Sequence, residues 1–241
     1  GAEWLNSKVE ARPFGPTKHR VYSTDLSGLD PDSRYNFKIS QGDRLIGSWF
    51  FKTAPKLFKE GMSFVTGGDM FHTREMLDGM NLRAGTENPL FALLGGDLAY
   101  ANGVDGDRWL EWVESWSKCA ITLEGCMIPM IPVIGNHEVK GAAYRPNDAP
   151  PRSEAPFFYS LFSGMKEGSK FTIDFGKYLT VVALDSGHTE NIKPQTPWLR
   201  RVLHERKAFP FKFMCYHRPA WGTGVKNDAV EIQRAWCPLF E

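Results

Sequence analysis

The chain has 241 residues, of which 42% are hydrophobic and 24% are charged, a composition that suits one large globular domain or a medium domain with a small one. The 29 Lys and Arg residues nearly balance the 28 Asp and Glu residues, which argues against a general binder of nucleic acids or membrane surfaces. No apolar stretch approaches the roughly 20 residues needed to span a bilayer.

Residues 1–55 are predicted to form short strands separated by polar turns. Apolar and polar residues alternate in His19–Leu26, Arg34–Ser40 and Gly47–Thr53. The run Leu29-Asp30-Pro31-Asp32-Ser33-Arg34-Tyr35 is similar to the tyrosine corner of immunoglobulin-type and fibronectin-type sandwiches. About half of such a sandwich is represented, so we expect a partial N-terminal fibronectin III-like β-sandwich in which the chain begins. A linker is predicted at Ala54-Pro55-Lys56.

From about Lys59 the pattern changes to short buried strands that alternate with amphipathic helices. This alternation predicts a layered α/β domain over residues 56–241. The strand candidates are Ser63–Thr66, Leu90–Leu94, Met130–Ile134, Thr180–Leu184 and Phe211–Tyr216.

Two helices of this domain are predicted from their apolar faces. The first spans Asp107–Cys119 and carries its apolar residues on one side: Trp109, Trp112, Val113 and Trp116. The second is predicted to begin at Thr196-Pro197, with the threonine as N-cap and the proline in the first turn. Its apolar stripe consists of Trp198, Leu199, Val202 and Leu203.

The four cysteines form no Cys-x-x-Cys pair, so neither a zinc ribbon nor a redox motif is indicated. Cys119 and Cys126 lie close together in the sequence. A disulfide between them and two free buried thiols are both open alternatives.

Polar residues of the metal-ligand type follow four of the predicted strands. Asp69, Asp97 and Asn136 each follow an apolar run after one or two glycines, and His217 follows an apolar run directly. Open α/β sheets place their ligand sites beyond the carboxyl ends of the strands. Glycines let the backbone turn sharply and approach an ion or a phosphate. The four side chains are therefore expected at one rim of the domain.

These blocks resemble, in order, those of the calcineurin-like metallophosphoesterases. The blocks are Gly68-Asp69, Gly96-Asp97-Leu98-Ala99-Tyr100, Gly135-Asn136-His137-Glu138 and the later His217. The tyrosine three residues after the second aspartate is similar to the purple acid phosphatase branch, as are Pro156-Phe157-Phe158-Tyr159-Ser160 and Gln195-Thr196-Pro197-Trp198-Leu199. The resemblance implies an α/β metallophosphoesterase sandwich of two mixed β-sheets flanked by helices.

The resemblance also implies a role for each site residue. Asp97 would bridge two metal ions, Asp69 and Tyr100 would bind Fe(III), and Asn136 and His217 would hold a divalent Zn, Mn or Fe. A water between the ions would be acidified to hydroxide and attack phosphorus in line. His137 would donate a proton to the leaving alkoxide or steady the phosphoryl charge.

Substrate contacts are predicted less directly. Plant-like members of the branch carry further histidines after the position of His217, whereas residues 218–226 of this chain contain none. We therefore assign contacts to a small phosphate ester to four residues: His72, Arg74, Arg218 and Lys226. The resemblance implies a secreted protein, or one in a vacuole, lysosome or periplasm. No nucleic acid or membrane partner is expected, and a homodimer is open.

The family completes its site with a Gly-His-x-His block that supplies one histidine to each metal. Here Trp236-Cys237-Pro238-Leu239-Phe240 resembles the helix before that block, and Glu241 follows. Gly187-His188-Thr189 is not a substitute, and His188 is expected to be structural. We expect a fragment of a longer acid phosphatase; the alternatives are a phosphodiesterase or nucleotidase on the same scaffold, and a non-catalytic relative.

Overall fold

A computed structural model describes residues 4–165, 168–223 and 229–241 of the chain. Its N-terminal part consists of two antiparallel hairpins. The first joins β1 (Glu10–Pro13) to β2 (Arg20–Ser23), and the second joins β3 (Arg34–Gln41) to β4 (Arg44–Lys52). The odd-numbered aromatic side chains of the second hairpin stack on one face, with the ring centroids of Phe37 and Trp49 5.5 Å apart.

The predicted tyrosine corner has the expected contact, because the backbone N–H of Asp30 donates to the Tyr35 hydroxyl oxygen at 2.8 Å. The two hairpins, however, are separate two-stranded sheets within the described residues. A fibronectin-type sandwich is therefore not observed there, and that interpretation stays a prediction.

Three parallel strands form the first sheet of the larger domain: β5 (Val65–Gly67), β6 (Ala92–Leu94) and β7 (Met130–Pro132). Helix α1 (Arg74–Thr86) connects the first two strands, and α2 (Gly106–Cys119) connects the second to the third. In this register Gly67, Leu94 and Pro132 end at the same edge. The described part of this sheet is parallel, whereas a mixed sheet was predicted.

The second sheet is mixed, as predicted. A short helix α3 (Pro156–Leu161) precedes β8 (Phe171–Phe175), which pairs antiparallel with β9 (Leu179–Ala183). Strand β10 (Phe211–Cys215) then pairs parallel with β9. Two further helices, α4 (Ile192–Glu205) and α5 (Val230–Ala235), precede and follow β10.

Alternating side chains give each sheet two buried faces, so the layers are helix, sheet, sheet and helix. Ala92 and Leu94 pack with α1 and α2, whereas Leu93 faces the second sheet. Val182 of β9 packs with α4 and α5. Fully buried strands of this kind need covering layers on both sides, which is why the sequence shows short continuous apolar runs.

The predicted helices differ from the observed ones in two details. In α2, Trp109, Trp112 and Trp116 are buried, but Val113 is 39% exposed and does not belong to the buried face. Helix α4 begins at Ile192 rather than Thr196, so Pro197 lies inside it. The reason is tertiary: Gln195 of the first turn is held by hydrogen bonds to the backbone of Asp185, which fixes helical geometry before the threonine.

All four cysteines are free thiols, so the disulfide alternative for Cys119 and Cys126 is not observed. The Cys119 thiol lies beside Asp78 of α1, and burial together with that carboxylate raises its pKa. Cys126 is buried in a separate turn with Thr122. The two side chains therefore have different neighbours.

Contacts cross the domain boundary that was predicted at residue 55. Phe14 is 2% exposed, and its ring lies 5.0 Å from that of Phe157 in α3. The Arg12 side chain donates to the carbonyl oxygen of Ser160. The first hairpin is thus anchored on the larger domain, and the boundary itself stays a prediction. Within the ranges described, no helix is long and apolar enough to cross a membrane.

Candidate metal centre

The four predicted ligands after the strands meet at one edge of the molecule. Asp69 follows β5, Asp97 follows β6, Asn136 follows β7 and His217 follows β10. Ligand atoms of Asp69, Asp97 and His217 all lie within 4.8 Å of one another. Parallel strands deliver their carboxyl ends to the same side, so residues up to 148 positions apart in the sequence converge here.

His217 is oriented as a metal ligand would be. Its Nδ1 lies 2.9 Å from the carbonyl oxygen of Gly95, which can only accept, so Nδ1 carries the proton. Its Nε2 then faces Asn136 Oδ1 at 3.1 Å and Asp97 Oδ2 at 3.2 Å. Metal-binding histidines commonly donate their other ring N–H to a carbonyl in this way.

Tyr100 and Asp69 form the outer half of the site. The Tyr100 hydroxyl donates to Asp69 Oδ1 at 2.5 Å. Burial raises the pKa of Tyr100, and the hydrogen bond and negative charge of Asp69 raise it further. Without a cation the phenol is therefore held protonated. A cation between the two oxygens would favour the phenolate instead.

The site is built from strained backbone. Asp69, Asp97, Tyr100 and Asn102 all have φ near +50°, in the left-handed region that non-glycine residues seldom adopt. Such conformations cost on the order of 1–3 kcal/mol each and tend to occur where function requires them. The left-handed backbone at these positions sets the direction in which each side chain leaves the chain.

A buried glutamate joins the two central loops. The Glu138 carboxylate accepts backbone N–H bonds from Asp97, Leu98 and Gly135 at 2.7–2.8 Å. Burial and the charge of Asp97 raise the pKa of Glu138 to about 7. Gly135 must be glycine here, because a Cβ would lie 2.3 Å from Asp97 Oδ1.

Asp97 lies at the centre of the site with 2% of its surface exposed. Burial alone would raise its pKa, but the hydrogen bond and charge of His217 and the backbone N–H of His137 outweigh burial and lower it. The bond from His137 N reaches Oδ1 at 2.8 Å, while Oδ2 faces His217. Asp97 is therefore an anionic carboxylate, and its Oδ2 is directed at the candidate metal ligand His217.

His137 lies beside this carboxylate, with its Nε2 3.9 Å from Asp97 Oδ2. Its ring centroid is 4.3 Å from that of Tyr100. On the other side its Nδ1 lies 2.5 Å from Asn102 Oδ1. The imidazole is thus held on two sides.

A polar cleft opens over these residues, lined also by Ala142, Tyr144, Arg218 and Pro219. All six predicted catalytic and metal residues line it: Asp69, Asp97, Tyr100, Asn136, His137 and His217. The arrangement suits a cation, because it combines two carboxylates, a phenol, an amide oxygen and an imidazole, which are ligand types of Zn, Mn and Fe.

The four predicted substrate contacts are placed differently. Arg218 lines the cleft, and its guanidinium lies 4.6 Å from the centroid of the Tyr144 ring. His72 is exposed, with its ring 5.8 Å from that of Tyr100. Arg74 is bonded to Asp78 and Glu114 between α1 and α2, so the structure does not bring it into the cleft. Lys226 lies outside the described residues.

Three residues at the site were not predicted from the sequence. Glu138 was part of a recognised block, and its position next to His137 was the available signal. Asn102 and Tyr144 gave no signal, because their partners come from segments far along the chain.

The chain is similar to known proteins in sequence and in fold. The family model for the calcineurin-like phosphoesterases matches residues 66–238. A phosphoenolpyruvate phosphatase of Allium cepa is 26% identical over 230 residues, covering 86% of this chain and 43% of its own length. An uncharacterized protein of Mycobacterium tuberculosis is 27% identical over 174 residues, covering 64% of this chain and 31% of its own.

Among solved structures, that of PhoD superposes with a TM-score of 0.55 at 14% identity, covering 86% of this chain and 52% of the PhoD chain. At this identity the similarity concerns the fold alone. The chain spans less than half the length of the two curated relatives.

Proposed function

The chain belongs to the calcineurin-like phosphoesterase family, and on that premise we propose that it forms the catalytic part of a purple acid phosphatase-type hydrolase. The substrate would be a small phosphate monoester. One observation carries the proposal: Asp69, Asp97 and His217 offer ligand atoms within 4.8 Å of one another, beside the Tyr100 phenol.

The residues fit a site for two ions. Asp69 and Tyr100 would hold one ion and Asn136 and His217 the other, with the Asp97 carboxylate between them. A phenolate is a hard anionic donor suited to Fe(III), which supports the purple acid phosphatase branch. When bound, the ions supply an acidified water as nucleophile and neutralise phosphoryl charge.

The chain's own residues account for the rest of the reaction. Asn102 Oδ1 accepts a hydrogen bond from His137 Nδ1–H, which leaves Nε2 on the cleft side. In its imidazolium form His137 carries a second proton on Nε2, and it donates that proton to the leaving alkoxide and becomes neutral, a contribution worth about 10²–10⁴ in rate for a positioned acid. Glu138 fixes the loops of Asp97 and His137 relative to each other.

A monoester substrate is supported by the name of the Allium cepa relative, a phosphoenolpyruvate phosphatase. At 26% identity the name supports the reaction type rather than that particular substrate. Secretion and the fibronectin-type N-terminal domain stay predictions from the resemblance.

The test uses the natural full-length protein, purified with its metals. We expect a visible phenolate–iron absorbance band and faster hydrolysis of p-nitrophenyl phosphate than of bis(p-nitrophenyl) phosphate. A colourless protein containing only Zn or Mn would contradict the iron assignment. Faster hydrolysis of the diester would favour a phosphodiesterase, and a folded protein without bound metal would favour a non-catalytic relative.

A further inference from the structure

A buried loop after β9 lies behind the candidate metal centre and has no role in the proposed mechanism. We define it as the Asp185–Glu190 loop. The Asp185 carboxylate accepts backbone N–H bonds of 2.6–3.0 Å from four residues of the loop: Gly187, His188, Thr189 and Glu190. Asp185 itself is fully buried. A carboxylate bonded to four successive N–H groups fixes the backbone of the loop.

His188 stands at the tip of this loop and is fully buried. Its ring lies edge-on against the ring of His217, with centroids 5.4 Å apart and an interplanar angle of 61°. The ring of Tyr144, which lines the cleft, is 5.9 Å away. One buried imidazole therefore touches a candidate metal ligand and a residue of the cleft wall.

A short chain of hydrogen bonds connects His188 to the strand end that carries His217. The backbone N–H of Arg218 donates to Ser186 Oγ at 2.9 Å, and Ser186 Oγ lies 3.0 Å from His188 Nε2. Because the backbone N–H can only donate, the serine hydroxyl proton is free to point at Nε2. The chain thus runs from Arg218, adjacent to His217, into the imidazole.

The loop is also bonded to the other wall of the cleft. The carbonyl oxygen of Gly187 accepts from Arg145 N at 3.0 Å. Gly187 has φ of +98°, and a Cβ at this position would lie 2.6 Å from the Cα of Pro146. The backbone next to Tyr144 therefore packs directly on the loop.

From these contacts we propose that His188 and Ser186 are positioning residues that hold His217 in its metal-binding orientation. The inference rests on the proposed function in taking His217 as a metal ligand. Partners behind a metal ligand typically change metal affinity about 10–100-fold when they are removed. A histidine that only fills the core would instead be replaceable by a ring of similar size with no effect on metal binding.

The experiment compares metal-stripped wild-type protein with Ser186→Ala, His188→Phe and the control His204→Phe, which changes an exposed histidine of α4. Mn²⁺ affinity is measured by calorimetry, and folding is checked by thermal melting. We expect Ser186→Ala and His188→Phe to weaken Mn²⁺ binding about tenfold or more, and His204→Phe to leave it unchanged. Affinities within twofold of wild type in both folded variants would overturn the proposal.

Ser186→Ala is the decisive variant if His188→Phe fails to fold, because it leaves both imidazoles in place. Ring signals of His217 in the metal-free protein give a second readout by NMR. They are expected to shift in Ser186→Ala and to stay unchanged in His204→Phe; unchanged signals in both would overturn the positioning role. If wild-type protein binds no Mn²⁺, the proposed function fails, and the His217 signals still decide this inference.

Discussion

The Nδ1 atom of His137 lies 2.5 Å from the amide oxygen of Asn102, a residue that the chain places 35 positions earlier. An amide oxygen can only accept, so this contact assigns the proton to Nδ1. Nε2 is then the atom that faces Asp97 and the cleft. In the imidazolium form the second proton lies on Nε2, so the Asn102 contact orients His137 with the proton of the predicted acid on the cleft side.

Asn102→Ala is expected to lower kcat for a phosphate monoester about 10–100-fold, because the His137 ring loses its acceptor and part of a contribution of about 10²–10⁴. KM and metal content should stay close to wild type. Asn88→Ala is the matched control, because Asn88 has φ of +49° against +51° at Asn102 and lies outside the cleft. Equal losses of activity in both variants would mean that backbone strain, not the hydrogen bond, is responsible.

Tyr100→Phe is expected to abolish the visible absorbance band of iron-loaded protein. Tyr144 is the one other tyrosine of the described residues that lines the cleft, but it is the Tyr100 hydroxyl that is bonded to the candidate ligand Asp69. The variant also removes the hydrogen bond to Asp69. The control is Tyr22→Phe, whose side chain is 66% exposed on the first hairpin. Persistence of the band in Tyr100→Phe would exclude Tyr100 as the ligand that gives the absorbance band.

Treatment of the wild-type protein with a chelator should remove the absorbance band and the phosphatase activity together.

Glu138→Gln is expected to lower the free energy of unfolding by about 1–3 kcal/mol. Gln offers one acceptor oxygen where Glu138 uses two, so at least one buried backbone N–H loses its partner. Urea denaturation of metal-free protein measures the change. Glu111→Gln, on the exposed side of α2, should change stability by less than about 0.5 kcal/mol. A Glu138→Gln variant as stable as wild type would show that the three bonds do not hold the loops.

The pKa of Glu138, raised from 4.5 to about 7 by burial and the charge of Asp97, predicts a pH dependence. Between these values the folded protein binds more protons than the unfolded chain, so this group makes stability fall as pH rises from about 4.5 to 7. Burial lowers the pKa of His188 to about 4, so this group makes stability rise with pH. The pH dependence of stability in the wild-type protein therefore combines the two opposite effects.

The difference in the free energy of unfolding between wild type and Glu138→Gln isolates the contribution of the glutamate. In metal-free protein we expect the stability advantage of wild type to narrow as pH rises from about 4.5 to 7. Urea titrations at several pH values measure it. A difference that is constant or widens over this range would contradict the raised pKa.

Phe14→Ala is expected to destabilise the protein by about 3–5 kcal/mol, because a fully packed aromatic ring is lost next to Phe157. Leu26→Ala, at a site that is 46% exposed, is the control and should cost far less. Urea denaturation followed by tryptophan fluorescence measures both. A small effect at Phe14 would mean that the first hairpin does not stabilise the larger domain.

Local sequence was sufficient to predict five of the six strands of the two larger sheets and the candidate ligands that follow them. Strands β6, β7 and β9 are mostly buried and apolar, and Asp97 and Asn136 come three and four residues after the ends of β6 and β7. The signal is local, because a strand buried on both faces is apolar throughout and the residue after it must leave the sheet at its carboxyl edge.

Helix α1 shows where such reasoning fails. Its buried positions are Leu77, Asn81 and Gly85, and only the first is strongly apolar. Asn81 is buried with its amide donating to the Ser115 hydroxyl of α2. Gly85 packs so closely on the loop at Ile121 that a Cβ would lie 2.1 Å from the Ile121 carbonyl oxygen. Periodicity cannot reveal a face that is defined by a neighbouring helix and loop.

The sequence alone therefore predicted five strands and two helices of the buried layers, the residue types at the strand ends and their similarity to a metal-dependent esterase. Only the tertiary structure decided which atoms meet: His217 Nδ1 with Gly95 O across 122 positions, Glu138 with the Asp97 loop, and Asn102 with His137. The physical reason is one of range. Propensity and hydrophobic periodicity act over a few residues, whereas hydrogen bonds at a sheet edge join atoms that only the packed fold brings together.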